Sequence, residues 1–231
     1  MKKRIAIIQS SYIPWKGYFD IIRSVDEFVL LDDAQFTRRD WRNRNLIKTP
    51  AGVRWLTIPV KTKGQFEGPI DSIYIAAPWA AKHWEALRHA YARAPHFARL
   101  APRVEALYEA LARETMLSKV NAHALHEICA ILGIITPIRW SREFPVQGTQ
   151  TNRLLSICVA AGATEYLTGP SARSYMELEK FSAAGIAVRF ADYSGYPEYA
   201  QMHGIFTHSV SILDLLFSLG DDALSAMRRL A

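Results

Sequence analysis

Two adjacent acidic residues, Asp32 and Asp33, directly follow the apolar run Phe28–Leu31. That run is typical of a buried strand, and a carboxylate at the carboxyl end of such a strand can act as a general base or hold a metal ion. An aspartate that only caps the next turn is the structural alternative. Successive side chains of a strand point to opposite faces, so we expect one of the two to face a site, and the sequence does not decide which.

A segment rich in arginine and asparagine follows, with an indole in its middle. Arginine binds phosphate or carboxylate with paired hydrogen bonds and stacks on planar rings, while asparagine offers a donor and an acceptor to a sugar or amide. The same composition also fits a solvated basic loop, or a segment that grips RNA by stacking. We predict substrate binding by the side chains of Gln35, Trp41, Arg42, Asn43, Arg44 and Asn45.

The first loop of the chain connects the predicted strand Arg4–Gln9 to a short helix predicted at Gly17–Ser24. It is polar and aromatic, and proline and glycine interrupt it. In open α/β sheets, ligands bind at loops that follow the carboxyl ends of strands. We therefore predict substrate binding by Gln9, Tyr12, Trp15 and Tyr18, with the aromatic rings stacking on a base or a sugar.

A third strand–loop–helix segment contains Gly169, Ser171, Ser174 and Tyr175 after the predicted strand Glu165–Thr168. Glycine permits a close approach of the backbone, and a helix that starts near Ser171 would present free backbone N–H groups to an anion. Plain capping of that helix is the alternative. The chain has neither a P-loop nor a dinucleotide-binding fingerprint.

Aromatic, amide and imidazole groups crowd a loop near the end of the chain, at Tyr199, Gln201 and His203. Histidine titrates near neutral pH, so His203 is the best single candidate for a general base, although a lone histidine is often structural. We predict catalytic roles for Asp32, Asp33 and His203, and substrate contacts for Tyr199 and Gln201.

The remaining reactive residue types point to no metal site and no covalent nucleophile. His123 and His126 are three residues apart on one predicted helix, but no carboxylate or thiol at ligand spacing accompanies them. Cys129 and Cys158 lie in apolar helical segments, which predicts buried free thiols. There is no G-x-S-x-G motif. We therefore predict no metal, and the sequence does not identify a cofactor.

Apolar periodicity predicts an alternation of strands and helices, which is typical of a parallel sheet with right-handed crossovers. The predicted strands are Arg4–Gln9, Glu27–Asp32, Trp55–Val60, Asp71–Ile75, Thr136–Trp140, Glu165–Thr168 and Ile186–Phe190. The predicted helices are Gly17–Ser24, three between residues 78 and 133 that Pro95 and Pro102 separate and Ser118 caps, Thr151–Ala161, Ser171–Ala183, Ser211–Leu219 and Asp222–Leu230.

These elements predict one α/β domain over residues 1–231, with a Rossmann-like sheet of five parallel strands and a mainly helical insertion at about residues 78–133. A sheet of the HUP/nucleotidyltransferase type is a narrower version of the same prediction. All the candidate residues above would then meet at the carboxyl edge of one sheet.

The composition limits the classes of protein to which this chain can belong. The chain has 231 residues, a net charge of +6, and a local basic cluster that begins at Arg38 and continues through Arg54, Lys61 and Lys63. This favours an anionic small molecule such as a nucleotide or nucleotide sugar, with nucleic acid as a less favoured partner. No apolar run approaches the roughly 20 residues of a membrane-spanning helix, and no signal peptide is evident. We expect a cytoplasmic protein; its oligomeric state stays open.

The chain resembles the WbqC-like protein family of bacteria over essentially its whole length. The resemblance rests on Gln9 with Tyr12–Trp15 and Gly17–Phe19, and on Asp32–Phe36, Trp41–Asn45, Trp55–Val60, Tyr166–Gly169, Tyr199–Gln201 and Ser211–Phe217. Ser10-Ser11 departs from the expected pattern. The resemblance implies a cytoplasmic transferase of surface-polysaccharide biosynthesis, such as that of the lipopolysaccharide O-antigen, which transfers glycine or another amino acid onto an amino sugar. It carries no established catalytic residue.

A second, weaker similarity is to nucleotidyltransferases of the HIGH-motif superfamily. There, a strand ends in a loop that contains proline, and a His-x-Gly-His turn opens the next helix. Here Trp15-Lys16-Gly17-Tyr18 occupies that place without either histidine. This similarity implies ATP-dependent nucleotidyl transfer or amino-acid activation as an alternative function, and an RNA-binding module is a third.

Overall fold

The computed structural model describes residues 2–61, 68–145 and 148–230, so Lys63 lies outside the described residues. The strands are β1 (Arg4–Ile8), β2 (Glu27–Leu30), β3 (Arg44–Thr49), β4 (Gly52–Thr57), β5 (Ile138–Trp140), β6 (Glu165–Thr168) and β7 (Ala187–Phe190). The helices are α1 (Lys16–Arg23), α2 (Ala80–Tyr91), α3 (Phe97–Leu111), α4 (Leu117–Leu132), α5 (Gln150–Ala160), α6 (Leu178–Ala183) and α7 (Ile212–Leu219).

Five strands form a parallel sheet in the order β5-β2-β1-β6-β7. All four residues of β2 and of β6 are buried, because helices cover both faces of a parallel sheet. The chain builds outward from β1 through β2 to β5, then returns to the other side of β1 with β6 and β7. The order therefore reverses between β1 and β6, and the prediction of a Rossmann-like sheet of five parallel strands is confirmed.

The three predicted helices between residues 78 and 133 are confirmed as α2, α3 and α4. Their apolar faces join the same buried cluster as the first loop and α1, through residues such as Leu87, Leu107 and Leu125. Two details differ from the prediction. Pro102 lies inside α3 instead of separating two helices, and α4 begins at Leu117, so that Ser118 lies within its first turn.

The sequence did not predict the β3–β4 hairpin. Strand β4 overlaps the predicted strand Trp55–Val60, but it pairs antiparallel with β3, outside the parallel sheet. β3 escaped notice because it carries Arg, Asn, Lys and Thr alongside only two aliphatic residues, so its composition resembles a loop. The predicted strand Asp71–Ile75 is wrong: a 3₁₀ turn covers Ile70–Ser72, and only isolated bridges follow.

Two predicted C-terminal helices are also shorter than expected. The predicted helix Ser171–Ala183 divides into a 3₁₀ turn, Pro170–Ser174, and the helix α6. Thr151 of α5 contacts the chain at the break: its Oγ1 donates to the Tyr175 carbonyl at 3.5 Å and accepts from the Glu177 N–H at 3.4 Å. The predicted helix Asp222–Leu230 is a 3₁₀ turn at Gly220–Ala226.

Candidate functional site

A cavity of about 700 Å³ opens at the carboxyl ends of β1 and β6, where the strand order reverses. Such switch points are where open α/β sheets bind ligands. Its polar and aromatic lining residues come from the first loop, α1, the segment before β3, β3 itself, α5, β6 with the turn after it, and the C-terminal loops. They are Gln9, Ser11, Trp15, Tyr18, Trp41, Arg42, Asn45, Gln150, Arg153, Tyr166, Thr168, Ser171, Tyr175, Tyr193 and Ser209, and Gly169 lies among them.

Side chains from distant segments hold the first loop in place. Asp32 Oδ1 accepts a hydrogen bond of 2.7 Å from the Ser10 N–H. Nη1 of Arg42 donates to the carbonyls of Gln9 and Ser10, at 2.8 Å each. Arg42 also lines the cavity, so one side chain both faces the cavity and holds the backbone of the first loop through Nη1.

The loop makes its sharpest turn at Ile13, whose φ of 37° is unusual for a β-branched residue. Asn45 stabilises this turn, because its side-chain amide donates to the carbonyls of Tyr12 (3.1 Å) and Ile13 (2.8 Å). A strained backbone persists only where its surroundings hold it, and such positions cluster at functional sites. Asn45 is thus both a wall of the cavity and the support of its first loop.

Tyr12 is fully buried beneath this loop and is not among the described residues that line the cavity. Its hydroxyl lies 2.8 Å from Nδ1 of His83 and 2.8 Å from the hydroxyl of Tyr108. Burial lowers the pKa of His83 to about 4, so the imidazole is neutral at neutral pH. Tyr12 ties the first loop to α2 and α3, which connects the helical insertion to the cavity wall.

Helix α1 begins under the cavity and contributes Trp15 and Tyr18 to its lining. A β-carbon on Gly17 would lie within the ring of Trp15, so only glycine allows the indole to fold back over the start of the helix. Between them, Lys16 is buried and donates to the Pro197 carbonyl at 3.1 Å. Burial lowers the pKa of Lys16 to about 8.

The two adjacent aspartates point in different directions. Asp32 is 1% exposed, and burial raises its pKa to about 6. The carboxylate of Asp33 accepts a 2.6 Å hydrogen bond from Ser141 and pairs with Arg153. Neither aspartate is among the described cavity-lining residues, but Asp33 contacts the cavity through Arg153.

Only some side chains of the arginine- and asparagine-rich segment face the cavity. Trp41, Arg42 and Asn45 line the cavity. Asn43 instead donates to the Ile58 carbonyl at 2.9 Å, while the Arg44 guanidinium stacks 4.0 Å from the Trp55 ring. Gln35 is exposed, and its carbonyl accepts from the Gln9 side chain at 3.1 Å.

The turn after β6 contributes Gly169, Ser171 and Tyr175 to the lining, as the sequence led us to expect for ligand contact. Ser174 is exposed, and its hydroxyl donates to the Ser171 carbonyl at 3.1 Å. The helix whose N-terminus was expected to receive an anion is here the short 3₁₀ turn, so that expectation loses its structural basis.

The part of the C-terminal loop that contains Tyr199, Gln201 and His203 contacts β3, α2 and α7. The Tyr199 hydroxyl donates to the buried carboxylate of Asp214 at 2.7 Å, and Gln201 accepts from the buried ammonium of Lys48 at 2.9 Å. Nε2 of His203 lies 2.8 Å from the Ala90 carbonyl. None of the three predicted residues is among the described cavity-lining residues; they anchor the loop that brings Ser209 to the cavity.

Sequence reasoning missed Arg153, Gln150 and Tyr193, which all line the cavity. Gln150 and Arg153 occupy the first turn of α5, and Tyr193 follows β7. Their positions, in the first turn of a helix or in the loop after a strand, could have indicated a place at the cavity. Within the described residues, no group of three or more His, Cys, Asp or Glu side chains is arranged to hold a metal ion.

Comparisons with known proteins agree with one another. The sequence model of the WbqC-like protein family matches residues 9–226. A protein of Mycobacterium tuberculosis (strain ATCC 25618 / H37Rv), named "Uncharacterized protein Rv1507c", is 46% identical over 227 residues, which cover 98% of each chain. No solved structure gives a significant match. No helix among the described residues is long and apolar enough to cross a membrane. The chain therefore belongs to the WbqC-like protein family.

Proposed function

We propose that this chain is a transferase that binds a nucleotide-linked or otherwise phosphorylated amino sugar in the cavity between β1 and β6. It would transfer glycine, another amino acid or a related acyl group onto the amine of that sugar, in the biosynthesis of a surface polysaccharide such as O-antigen. The observation that carries the proposal is a cavity at the topological switch point lined by arginine, amide and aromatic side chains.

The size and lining of the cavity support a ligand of this class. Its volume of about 700 Å³ falls in the range of small-molecule sites. Arg153 and Ser171 would hold phosphate oxygens, because a guanidinium and a hydroxyl suit that group. Nη2 of Arg153 pairs with Asp33, while its Nε is buried and has no hydrogen-bond partner among the described residues. Trp15 and Trp41 would stack on the base or the sugar ring.

Asp33 is our candidate for the general base. Its carboxylate is 22% exposed and contacts Arg153, whereas Asp32 is buried under the first loop. The amine would attack the carbonyl carbon of an activated amino acid, such as an ester or an adenylate. The carbon–nitrogen bond forms, the activating group leaves, and the base accepts the proton of the amine. His203, hydrogen-bonded near Ala90, has no part in this step.

The experiment is to incubate the protein with UDP- and dTDP-linked amino sugars and activated glycine, and to measure the mass of the sugar product. We expect a mass gain that corresponds to one amide. Asp33→Asn should bind the nucleotide sugar in calorimetry but lower turnover by roughly a hundredfold or more. Asp222→Asn, at an exposed position in the C-terminal turn, is the matched control. Failure of binding and turnover across a broad panel would contradict the proposal.

ATP-dependent nucleotidyl transfer is a second candidate, and the strand order favours it. A parallel sheet with its cavity at the switch point is the arrangement that mononucleotide-binding folds share. The two functions differ in one product: nucleotidyl transfer from ATP releases pyrophosphate. A coupled pyrophosphate assay with ATP, in the presence and absence of amino acids, distinguishes them.

A further inference from the structure

The outer face of the β3–β4 hairpin exposes large apolar side chains. Every residue of β4 except Leu56 is exposed. Val53 and Trp55, two positions apart on one face of this strand, are 55% and 39% exposed. Trp41 is 40% exposed, and its ring centroid lies 5.2 Å from that of Trp55. The row therefore continues from the hairpin to the cavity, which Trp41 also lines.

Ile205 lies in a loop that approaches the same face of the hairpin. Lys48 lies opposite Val53 in the hairpin, so the two side chains share a face. The Lys48 ammonium donates to the Ile205 carbonyl at 2.6 Å, which brings the backbone at Ile205 to the side of the hairpin that carries Val53. The Ile205 side chain is 93% exposed. We call the four residues Ile205, Val53, Trp55 and Trp41 the hairpin patch.

The segment that carries most of the hairpin patch is strongly basic. Residues 37–61 contain seven Lys or Arg and a single acidic residue, Asp40. Asp40 already accepts hydrogen bonds from Thr37 and the Trp41 N–H and lies 3.6 Å from Arg42. The exposed basic residues of this segment are Arg38, Arg39, Arg54 and Lys61, of which Arg54 points to the face of β4 opposite Val53 and Trp55.

We propose that the hairpin patch docks the protein onto an anionic lipid surface. Tryptophan favours the boundary between headgroups and acyl chains, aliphatic side chains insert below it, and arginines attract anionic headgroups. Docking would bring the side of the cavity that contains Trp41 close to the bilayer.

The charge and the side-chain types disfavour other occupants. A second copy of the chain would bring two clusters of positive charge together, which is repulsive. Single-stranded RNA would use the tryptophans and arginines, but Val53 and Ile205 offer no aromatic face for a base to stack on. A lipid surface uses the aliphatic, aromatic and basic residues together.

The test is flotation of the full chain with vesicles of phosphatidylcholine alone and of phosphatidylcholine mixed with phosphatidylglycerol. We expect the protein to float with the anionic vesicles only, and to dissociate when NaCl rises from about 0.05 M to about 0.5 M. Ile205→Asp and Val53→Asp should each lower the bound fraction about tenfold.

Ile135→Asp is the matched control, because Ile135 is 95% exposed and lies outside the hairpin patch. It should float as the unsubstituted chain does. Circular dichroism establishes that all three variants are folded. Equal flotation of the Ile205 and Ile135 variants would overturn the proposal, as would binding to neither vesicle. If the chain does not float but forms dimers, the surface serves a second copy of the chain. If it does not float but binds RNA, and Ile205→Asp leaves that binding unchanged, the surface serves RNA.

Discussion

Asp32 and Asp33 show how two identical neighbours acquire different properties from their surroundings. Asp33 is partly exposed and satisfied by Ser141 and Arg153. Asp32 is buried, and its Oδ2 has no hydrogen-bond partner among the described residues. A buried carboxylate without full compensation favours its neutral form, which is why its pKa rises. Asp32 is suited to shape the first loop, and Asp33 to hold Arg153 at the cavity wall.

The raised pKa of Asp32 predicts a specific dependence of stability on pH. Between its unfolded pKa and its folded value of about 6, the folded chain binds more protons than the unfolded chain. The contribution of Asp32 is therefore full at low pH and is lost as pH rises through about 6. At pH 7 the loss is on the order of 3 kcal/mol. Asp32→Asn should remove this dependence.

Urea unfolding of Asp32→Asn and the unsubstituted chain at about pH 5 and about pH 7.5 measures this difference. We expect the free energy of unfolding of the unsubstituted chain to fall more steeply between the two values than that of the variant. Asp222→Asn, at an exposed position, serves as the control. Parallel pH profiles for Asp32→Asn and the unsubstituted chain would show that Asp32 titrates normally in the fold.

Arg153 is the residue on which we expect phosphate recognition to depend. Arg153→Gln keeps a polar side chain but removes the charge and the paired donors of the guanidinium, so affinity for a nucleoside diphosphate should fall about tenfold or more. Isothermal titration calorimetry with UDP measures it. Arg103→Gln, an exposed substitution on α3, should leave affinity unchanged. An equal affinity for Arg153→Gln would exclude this residue from phosphate binding.

Among the elements, the first loop depends most on contacts from elsewhere in the chain. It is short, strained at Ile13, and held by side chains of β3 and of the segments that follow β2. Its shape therefore depends on contacts with both the hairpin and the parallel sheet. The helical insertion adds a further support through His83 and Tyr108.

Asn45→Ala tests this dependence, since it leaves the carbonyls of Tyr12 and Ile13 without their donor. We expect a loss of about 1–3 kcal/mol in the free energy of unfolding, and a weaker nucleotide affinity. Asn43→Ala is the matched control: it removes a buried hydrogen bond to Ile58 but no cavity-lining residue. It should lower stability similarly and leave affinity nearly unchanged. Equal affinities for both variants would show that the Asn45 support is not needed for binding.

At the scale of the whole molecule, the cavity joins parts of the chain that are far apart in sequence. Its lining includes Trp15 and Tyr193, packed against the cluster that contains the insertion, and Leu154 and Ala172 of the second cluster. A ligand that contacts both sides would link the two clusters. Occupying the cavity should therefore stabilise the entire fold.

We expect a nucleotide sugar at about a hundred times its dissociation constant to raise the free energy of unfolding by about 2.7 kcal/mol. For a chain of this size that corresponds to a rise in Tm of about 5–10 °C. Differential scanning fluorimetry with UDP- and dTDP-sugars measures it, with free sugars as controls. A rise with free sugars equal to that with nucleotide sugars would argue against phosphate recognition.

The local pattern of the chain was sufficient for the elements of the parallel sheet. Strands β1, β2, β5, β6 and β7 were each predicted within three residues at either end. Each contains apolar residues in a short run, and the inner strands β2 and β6 are buried at every position. The hairpin was less predictable, since β3 gains its stability from β4, α2 and Asp214-linked contacts rather than from its own composition.

The residues of the candidate site also fall into those that the sequence predicted and those that it did not. Gln9, Trp15, Tyr18, Trp41, Arg42, Asn45, Gly169, Ser171 and Tyr175 were expected to contact a ligand and do line the cavity. Arg153 was missed, because its place depends on how α5 packs beside the sheet. Tyr12, Tyr199 and Gln201 resemble binding residues in sequence, but their polar groups are used in contacts within the protein.

The sequence by itself determined the family, the parallel strands and the loops from which a site could be built. Apolar periodicity and short motifs are local properties, so they are readable without the fold. Only the tertiary structure decided which polar side chains face the cavity and which stabilise its walls. That choice depends on burial and on hydrogen bonds between residues about a hundred or more positions apart, such as Asp33 with Arg153 and Tyr12 with Tyr108.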